Sequence, residues 1–241
     1  MEKVRLQKYV ADAGLMSRRA AEAEIEKGNF SVNGHPAELG CKVDPRADII
    51  TYKGKRIEHQ RKKYTYIMMN KPRGYLSSTS DDRGRKCVTD LLDGVNARVY
   101  PVGRLDLTSE GILLLTDEGE LKKRLTHPKH SVPKVYRVKV QGEVSEAQYD
   151  ILTSALIIDG YEILPVEVTI AGADEGGTVL KMTLYEGRNR QIRKMCEAAG
   201  LTVKRLSRVS IGNLKLDGMP VGKWRYLTEQ EVDYLYKSTK D

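Results

Sequence analysis

From Tyr64 onward the chain alternates strand-length apolar runs with short turns, and that rhythm limits its fold more than any other feature. The runs YTYIMMN, GILLLT, KVYRVKV, ILPVEVTI and TVLKMTL are rich in β-branched, aromatic and other apolar residues. Helical patterns intervene only near 119–127 and 145–155. A parallel pair needs a crossover of about a dozen residues or more, and AGADEGG at 171–177 is too short to supply one. Neighbouring strands are therefore expected to pair in a mixed, largely antiparallel sheet flanked by helices, an α+β fold.

The first sixty residues have a different texture. Leu6, Tyr9, Val10 and Ala13 recur at helical spacing, and Gly14 follows as a stop. Ser17 is positioned to cap a second helix running through Ile25 to Gly28, whose first turn turns Arg18 and Arg19 to solvent. Asn33-Gly34 and Lys53-Gly54 then mark two tight hairpins. The expected organisation is a small module at 1–59, a basic linker at 60–63 and a larger domain at 64–241.

Charge narrows the partner. The 41 Lys and Arg outweigh 33 Asp and Glu, giving +8 and a pI near 9.2, and the excess is clustered. KGKRIEHQRKK at 53–63 holds six basic residues, and 188–208 holds seven with Glu197 as the only acid. Such clusters favour a polyanion. With one Trp, one Phe and thirteen Tyr, base stacking would fall to tyrosine. The three cysteines, Cys41, Cys87 and Cys196, form no C-x-x-C pair, which argues against structural zinc and a secreted disulfide framework and for a reducing cytoplasm. The start has no apolar signal region and no run approaches a membrane span, so a soluble, unprocessed protein is expected, and a monomer because no heptad or apolar stripe stands out. His127 and His130 have H-x-x-H spacing, but Pro128 breaks the helix that would put them on one face, so they read as a helix end. AGADEGG and TSDDRGR lack the lysine and spacing of a phosphate-binding P-loop and read as flexible loops.

The segment richest in chemistry is YPVGRLDLTSEGILLLTDEGEL at 100–121, where Gly103, Arg104, Leu105 and Asp106 precede a buried-looking strand. Taken alone, Asp106 fits a turn residue or half of an ion pair with Arg104 better than it fits a reactive carboxylate. Downstream, Ile192, Met195, Cys196 and Ala199 form the apolar face of a helix with Arg193 on its flank. In KVYRVKV, alternation puts Tyr136, Val138 and Val140 on the inward face.

Two resemblances join these pieces. RLQKYVADAGLMSRRAAEAEIEKGNFSVNG is similar to the S4 RNA-binding domain, which implies RNA contacts from Arg18, Arg19, Lys27 and Asn33. Gly103-Arg104-Leu105-Asp106 with Thr108, Ser109 and Gly111 resembles the defining motif of the pseudouridine synthases. Asn70-Lys71-Pro72-Arg73-Gly74, Lys134-Val135-Tyr136 and Glu186-Gly187-Arg188-Asn189-Arg190-Gln191-Ile192-Arg193-Lys194-Met195 follow the family order. The last motif and the tail IGNLKLDGMPVGKWRYLTEQEV resemble the RsuA/RluB/RluE/RluF branch, which modifies ribosomal RNA.

The resemblance implies that Asp106 is the catalytic carboxylate, kept ionised by Arg193, with Tyr136 stacked on the uracil and Arg104, flanked by Gly103 and Leu105, filling the gap left by a flipped base. Lys71, Arg73, Arg188, Arg190 and Lys194 are expected to contact RNA, and TSDDRGR to lie near it. Neither metal nor organic cofactor is expected, because uracil leaves C1′, turns and reattaches through C5 without net redox change. The partner implied is ribosomal RNA, as a stem-loop or within a pre-ribosomal particle. EGRNRQIRKMCEAAG is closer to the large-subunit enzymes, which makes 23S rRNA the expected target and 16S rRNA the alternative. Two readings from other classes stand beside these: a non-catalytic S4-containing assembly protein, and a hydrolase with Asp106 as nucleophile, for which a second carboxylate is wanting nearby.

Overall fold

The computed structural model describes residues 3–57 and 63–239. The expected basic linker at 60–63 falls, Lys63 apart, outside the described residues. The chain divides into two compact units, one holding the first 65 residues with 96–98 and 117–119, the other the remainder.

In the first unit, β1 (Val4–Arg5) leads into α1 (Leu6–Asp12) and α2 (Arg18–Glu26), and β2 (Phe30–Val32), β3 (His35–Pro36), β4 (Lys42–Val43), β5 (Ile50–Tyr52) and β6 (Lys55–Arg56) follow. The Ser17 hydroxyl accepts from the Ala20 amide at 3.1 Å and fixes the start of α2. Asn33 and Gly34 both have positive φ, at 53° and 84°, which suits the tight turn of the β2–β3 hairpin. Leu6, Tyr9, Val10, Ala21, Ile25 and Phe30 close the core under a sheet of order β3-β2-β5-β6.

The second unit is built on β7 (Tyr66–Lys71), β8 (Tyr100–Val102), β9 (Glu110–Thr116), α3 (Gly119–Thr126), β10 (Lys134–Val140), α4 (Glu146–Thr153), β11 (Ile157–Ile158) and β12 (Tyr161–Glu162). It continues with β13 (Glu167–Asp174), β14 (Gly177–Leu184), α5 (Gln191–Ala198), β15 (Val203–Ile211), β16 (Leu214–Lys215), β17 (Trp224–Tyr226) and α6 (Glu229–Lys237). Among the described residues the main sheet has nine strands in the order β13-β14-β10-β15-β9-β7-β17, with β16 on β15 and β8 on β9. Only the β15–β9 pair is parallel, so the expected mixed, largely antiparallel α+β sheet is what forms. Every residue of β9 is buried, as befits a strand inside the sheet. No helix among the described residues is long and apolar enough to cross a membrane.

One expectation needs correcting. AGADEGG is not a loop: 171–174 continue β13, and Glu175 and Gly176 alone make the turn into β14. β13 lies at the sheet edge and is exposed along most of its length, so it needs no apolar alternation, and a register shift between Ile170 and Gly172 absorbs its glycine. Pro165, which has no N–H to donate, lies ahead of the strand rather than inside it.

A row of cross-strand neighbours positions the site. Lys71 on β7 is opposite Gly111 on β9, Gly111 is opposite Arg208 on β15, and Arg208 is opposite Tyr136 on β10. Gly111 makes this row possible: its φ is +106°, and a Cβ there would sit 2.2 Å from the Arg208 carbonyl oxygen.

Candidate active site

The loop between β8 and β9 carries Asp106, and it is pinned through its backbone. The Ser77 hydroxyl donates to the Leu105 carbonyl at 2.8 Å and accepts from the Leu105 amide at 3.0 Å. The Gly74 amide donates to the Leu107 carbonyl at 2.7 Å, and the Ser109 amide to the Asp106 carbonyl at 3.0 Å. Lys71 completes the clamp: its ammonium donates to the carbonyls of Pro72, Asp106 and Ser109 at 3.0, 3.1 and 2.9 Å. Gly103 enters the loop with φ +74°, a conformation that costs a side-chain-bearing residue energy.

The Asp106 carboxylate itself stays partly open to solvent and is approached by two guanidinium groups, Arg190 at 3.9 Å and Arg193 at 4.0 Å. Arg193 stands on the flank of α5, whose Ile192, Met195 and Cys196 are buried, and it also donates to the Thr108 carbonyl at 3.3 Å. Burial and the neighbouring Arg190 lower its pKa, while Asp106 favours its charged form. Arg190 reaches the carboxylate from the left-handed residue that caps the same helix.

Asp106 opens onto a cavity of about 520 Å³, within the usual range for a ligand site. Gly103, Arg104, Leu105, Tyr136, Arg188 and Arg190 line it, as do Lys134, Tyr161, Leu206 and Arg208. Burial pushes Lys134 down to about 8, with Arg208 adding to the effect. At the rim, the Arg188 guanidinium lies 3.0 Å above the Tyr161 ring. Glu186 orders this rim by accepting from the Leu164 amide, the Gln191 side chain and Arg188 at 3.0, 3.0 and 3.3 Å. Among the described residues no group of three or more His, Cys, Asp or Glu could hold a metal ion.

The sequence reading and the geometry differ at several residues. Lys71, expected to meet RNA, is 0% exposed; its ammonium has three carbonyl partners and no surface to offer a phosphate, so it holds the loop instead. Lys194 is paired with Asp159. Arg104 is exposed and, among the described residues, forms no ion pair with Asp106, whose partners lie on the other motif. Arg73 is exposed on the turn after β7. In the first unit Arg18 and Arg19 are exposed, Lys27 pairs with Glu24 at 2.9 Å, and the Asn33 amide is engaged by Asp48 and the Ile49 amide, each at 2.8 Å. No sequence signal singles out Ser77, Tyr161 or Arg208, and Lys134 stands in the sequence only as the first residue of the Lys134-Val135-Tyr136 motif. Arg208 reads there only as the end of a basic run.

The Lys71 clamp has measurable consequences. In Lys71→Met the three carbonyls lose their donor, and the expected cost is about 2 kcal/mol of stability at neutral pH with about a 100-fold loss of turnover as the Asp106 loop loosens. Burial pushes Lys71 down to about 8 from 10.5. Between those values the folded lysine has shed its proton while the unfolded one keeps it. Wild type is therefore expected to gain stability relative to Lys71→Met as pH rises from 8 toward 10.5. Thermal melts of both proteins across that window check the sign.

Comparison with known proteins adds to this geometry. The RNA pseudouridylate synthase family profile matches residues 65–198 and the S4 domain profile residues 4–49. The chain is 38% identical to an uncharacterized RNA pseudouridine synthase of Aquifex aeolicus, over 99% of this chain and 96% of that one. It is 39% identical to the ribosomal large subunit pseudouridine synthase B of Bacillus subtilis, over 96% and 95%. It is 37% identical to the dual-specificity RNA pseudouridine synthase RluF of Escherichia coli, over 97% and 79%. A crystal structure of a pseudouridylate synthase superposes with a TM-score of 0.68 at 27% identity, covering 96% of this chain and 99% of the other.

Proposed function

The chain belongs to the RNA pseudouridylate synthase family and begins with an S4 domain, and we propose that it isomerises one uridine of 23S ribosomal RNA to pseudouridine, with Asp106 as the catalytic residue. The observation that carries this reading is the backbone-pinned Asp106, open to the cavity and faced by Arg190 and Arg193. The reaction breaks the bond from C1′ to N1 and makes one from C1′ to C5, whose hydrogen is released while N1 gains one. It needs a carboxylate available at the sugar or base in a site that limits water. The two arginines place positive charge beside that carboxylate.

Tyr136, buried on the cavity wall, is suited to cover one face of the uracil. Arg104, exposed at the cavity edge and free of ion pairs among the described residues, is suited to fill the gap left by the flipped nucleotide. Arg18 and Arg19 at the exposed start of α2, and Arg73, Arg188 and Arg190 on the larger unit, are proposed to meet phosphates. The ribosomal target is supported by the large-subunit name of the Bacillus subtilis relative. The enzyme is taken to act as a cytoplasmic monomer on an RNA stem-loop or a pre-ribosomal particle.

The test is to map pseudouridine by carbodiimide labelling and primer extension on ribosomal RNA from cells lacking the gene, complemented with wild type or Asp106→Asn. One 23S site is expected to vanish in the deletion and to return with wild type alone. If every site persists in the deletion, the enzyme has no unique ribosomal target and the reading fails.

A further inference from the structure

Arg208 is buried to 3% exposure, yet among the described residues it has no carboxylate within ion-pair distance. Its charge acts on both Lys71 and Lys134 and disfavours their charged forms. A buried guanidinium without a counter-ion is costly and calls for an explanation beyond packing. Its Nε donates to the Ile112 carbonyl at 2.8 Å, which fixes the plane of the group. Its Nη1 lies 3.4 Å from the Tyr136 hydroxyl oxygen, and its Nη2 is buried without a partner.

This contact follows from the sheet register. The β10–β15 ladder pairs Val135 with Ser210 and Tyr136 with Arg208, so Val209 is skipped as a bulge. The skip sets the guanidinium directly across from the phenol, on the face that lines the cavity. Bulges are a common device for re-aiming one side chain beside a functional site.

Guanidinium N–H groups can only donate. The Tyr136 oxygen must therefore accept from Arg208, and its own proton is turned away from the guanidinium. We propose that Arg208 is a positioning residue for the uridine isomerisation: it holds the Tyr136 hydroxyl as an acceptor on the buried side, so that Tyr136 presents its hydroxyl proton to the cavity as a hydrogen-bond donor. This rests on the synthase reading above and adds to it a residue that acts through Tyr136.

The test is a double-mutant cycle between Arg208 and Tyr136, read as single-turnover release of tritium from ribosomal RNA labelled at uridine C5. The RNA is taken from cells lacking the gene, and its affinity is measured in parallel. Arg208→Met is expected to slow release about 100-fold while affinity stays within about threefold. In a Tyr136→Phe background, where no hydroxyl remains to be held, the same change is expected to cost less than about threefold. Arg208→Lys keeps a cation that can reach only one of the two partners, and it is expected to recover at least about tenfold over Arg208→Met. If Arg208→Met does not fold, the Arg208→Lys arm reads the same coupling. Equal losses with Tyr136 intact and in the Tyr136→Phe background, or no loss at all, would overturn the inference while an active wild type leaves the synthase reading intact. A wild type that releases no tritium from any ribosomal RNA would overturn both.

Discussion

Asp106→Asn is expected to lose turnover by a factor on the order of 10⁴ or more while folding and binding RNA as wild type does. The separation of these effects comes from how the loop is built. Lys71 and the Ser109 amide hold residue 106 by its carbonyl oxygen, which the substitution leaves in place. The carboxylate contributes only two long ionic contacts, at 3.9 and 4.0 Å, and pairs of that kind near solvent add little to stability. The melting temperature should stay within about 2 °C of wild type. RNA affinity should be unchanged or slightly higher, since removing an anion beside Arg190 and Arg193 leaves more positive charge to meet phosphate. Tritium release, thermal melts and filter binding on one preparation check the three parts. A variant that retains a tenth of wild-type turnover would take Asp106 out of the catalytic role.

The second large effect is structural. Gly111→Ala is expected to cost about 4 kcal/mol or to prevent recovery of soluble protein. The new methyl would sit 2.2 Å from the Arg208 carbonyl oxygen and 2.7 Å from its amide nitrogen, both backbone atoms of the adjoining strand that cannot swing aside. The φ of +106° adds strain of its own. Gly74→Ala is the control: its φ is +83° but nothing lies within 4 Å of the added carbon, so the expected cost is only about 1 kcal/mol. Denaturant melts of the two variants should differ by several kcal/mol. If Gly111→Ala melts like Gly74→Ala, the β9–β15 contact is looser than described.

What can be read from the sequence divides along physical lines. Tyr136, Val138 and Val140 are legible as an inward face because β10 lies inside the sheet and its burial enforces alternation. The continuation of β13 through 171–174 is not, because an exposed edge strand leaves no apolar signature and its glycines imitate a turn. Lys71 shows another kind of failure. Its place in the Asn70-Lys71-Pro72-Arg73-Gly74 motif leads to an expected RNA contact, and only the fold reveals three carbonyl groups converging on its ammonium. The approach of Arg193 to Asp106 is reachable through family resemblance, since nothing local in either segment joins residues so far apart along the chain. Arg208 is hidden in a basic run because its burial depends on a bulge defined jointly by two strands, and single-strand periodicity does not carry that information.

The placement of β15 between β9 and β10 also sets the order in which the chain can be completed during synthesis. The helices and hairpins of the first unit close over short sequence separations, and their core is contained in the first 57 residues. β9 can pair early with β7 and β8, but its other edge waits for Ser207 and Arg208, about a hundred residues later, and β7 waits longer still for Trp224–Tyr226. Long-range pairing of this kind is slow to form. A nascent chain would thus have a completed S4 domain well before the row from Lys71 to Tyr136 exists. The sheet remains open at its centre until the last third of the chain has emerged, and that interval is when exposed strand edges would most need protection from aggregation.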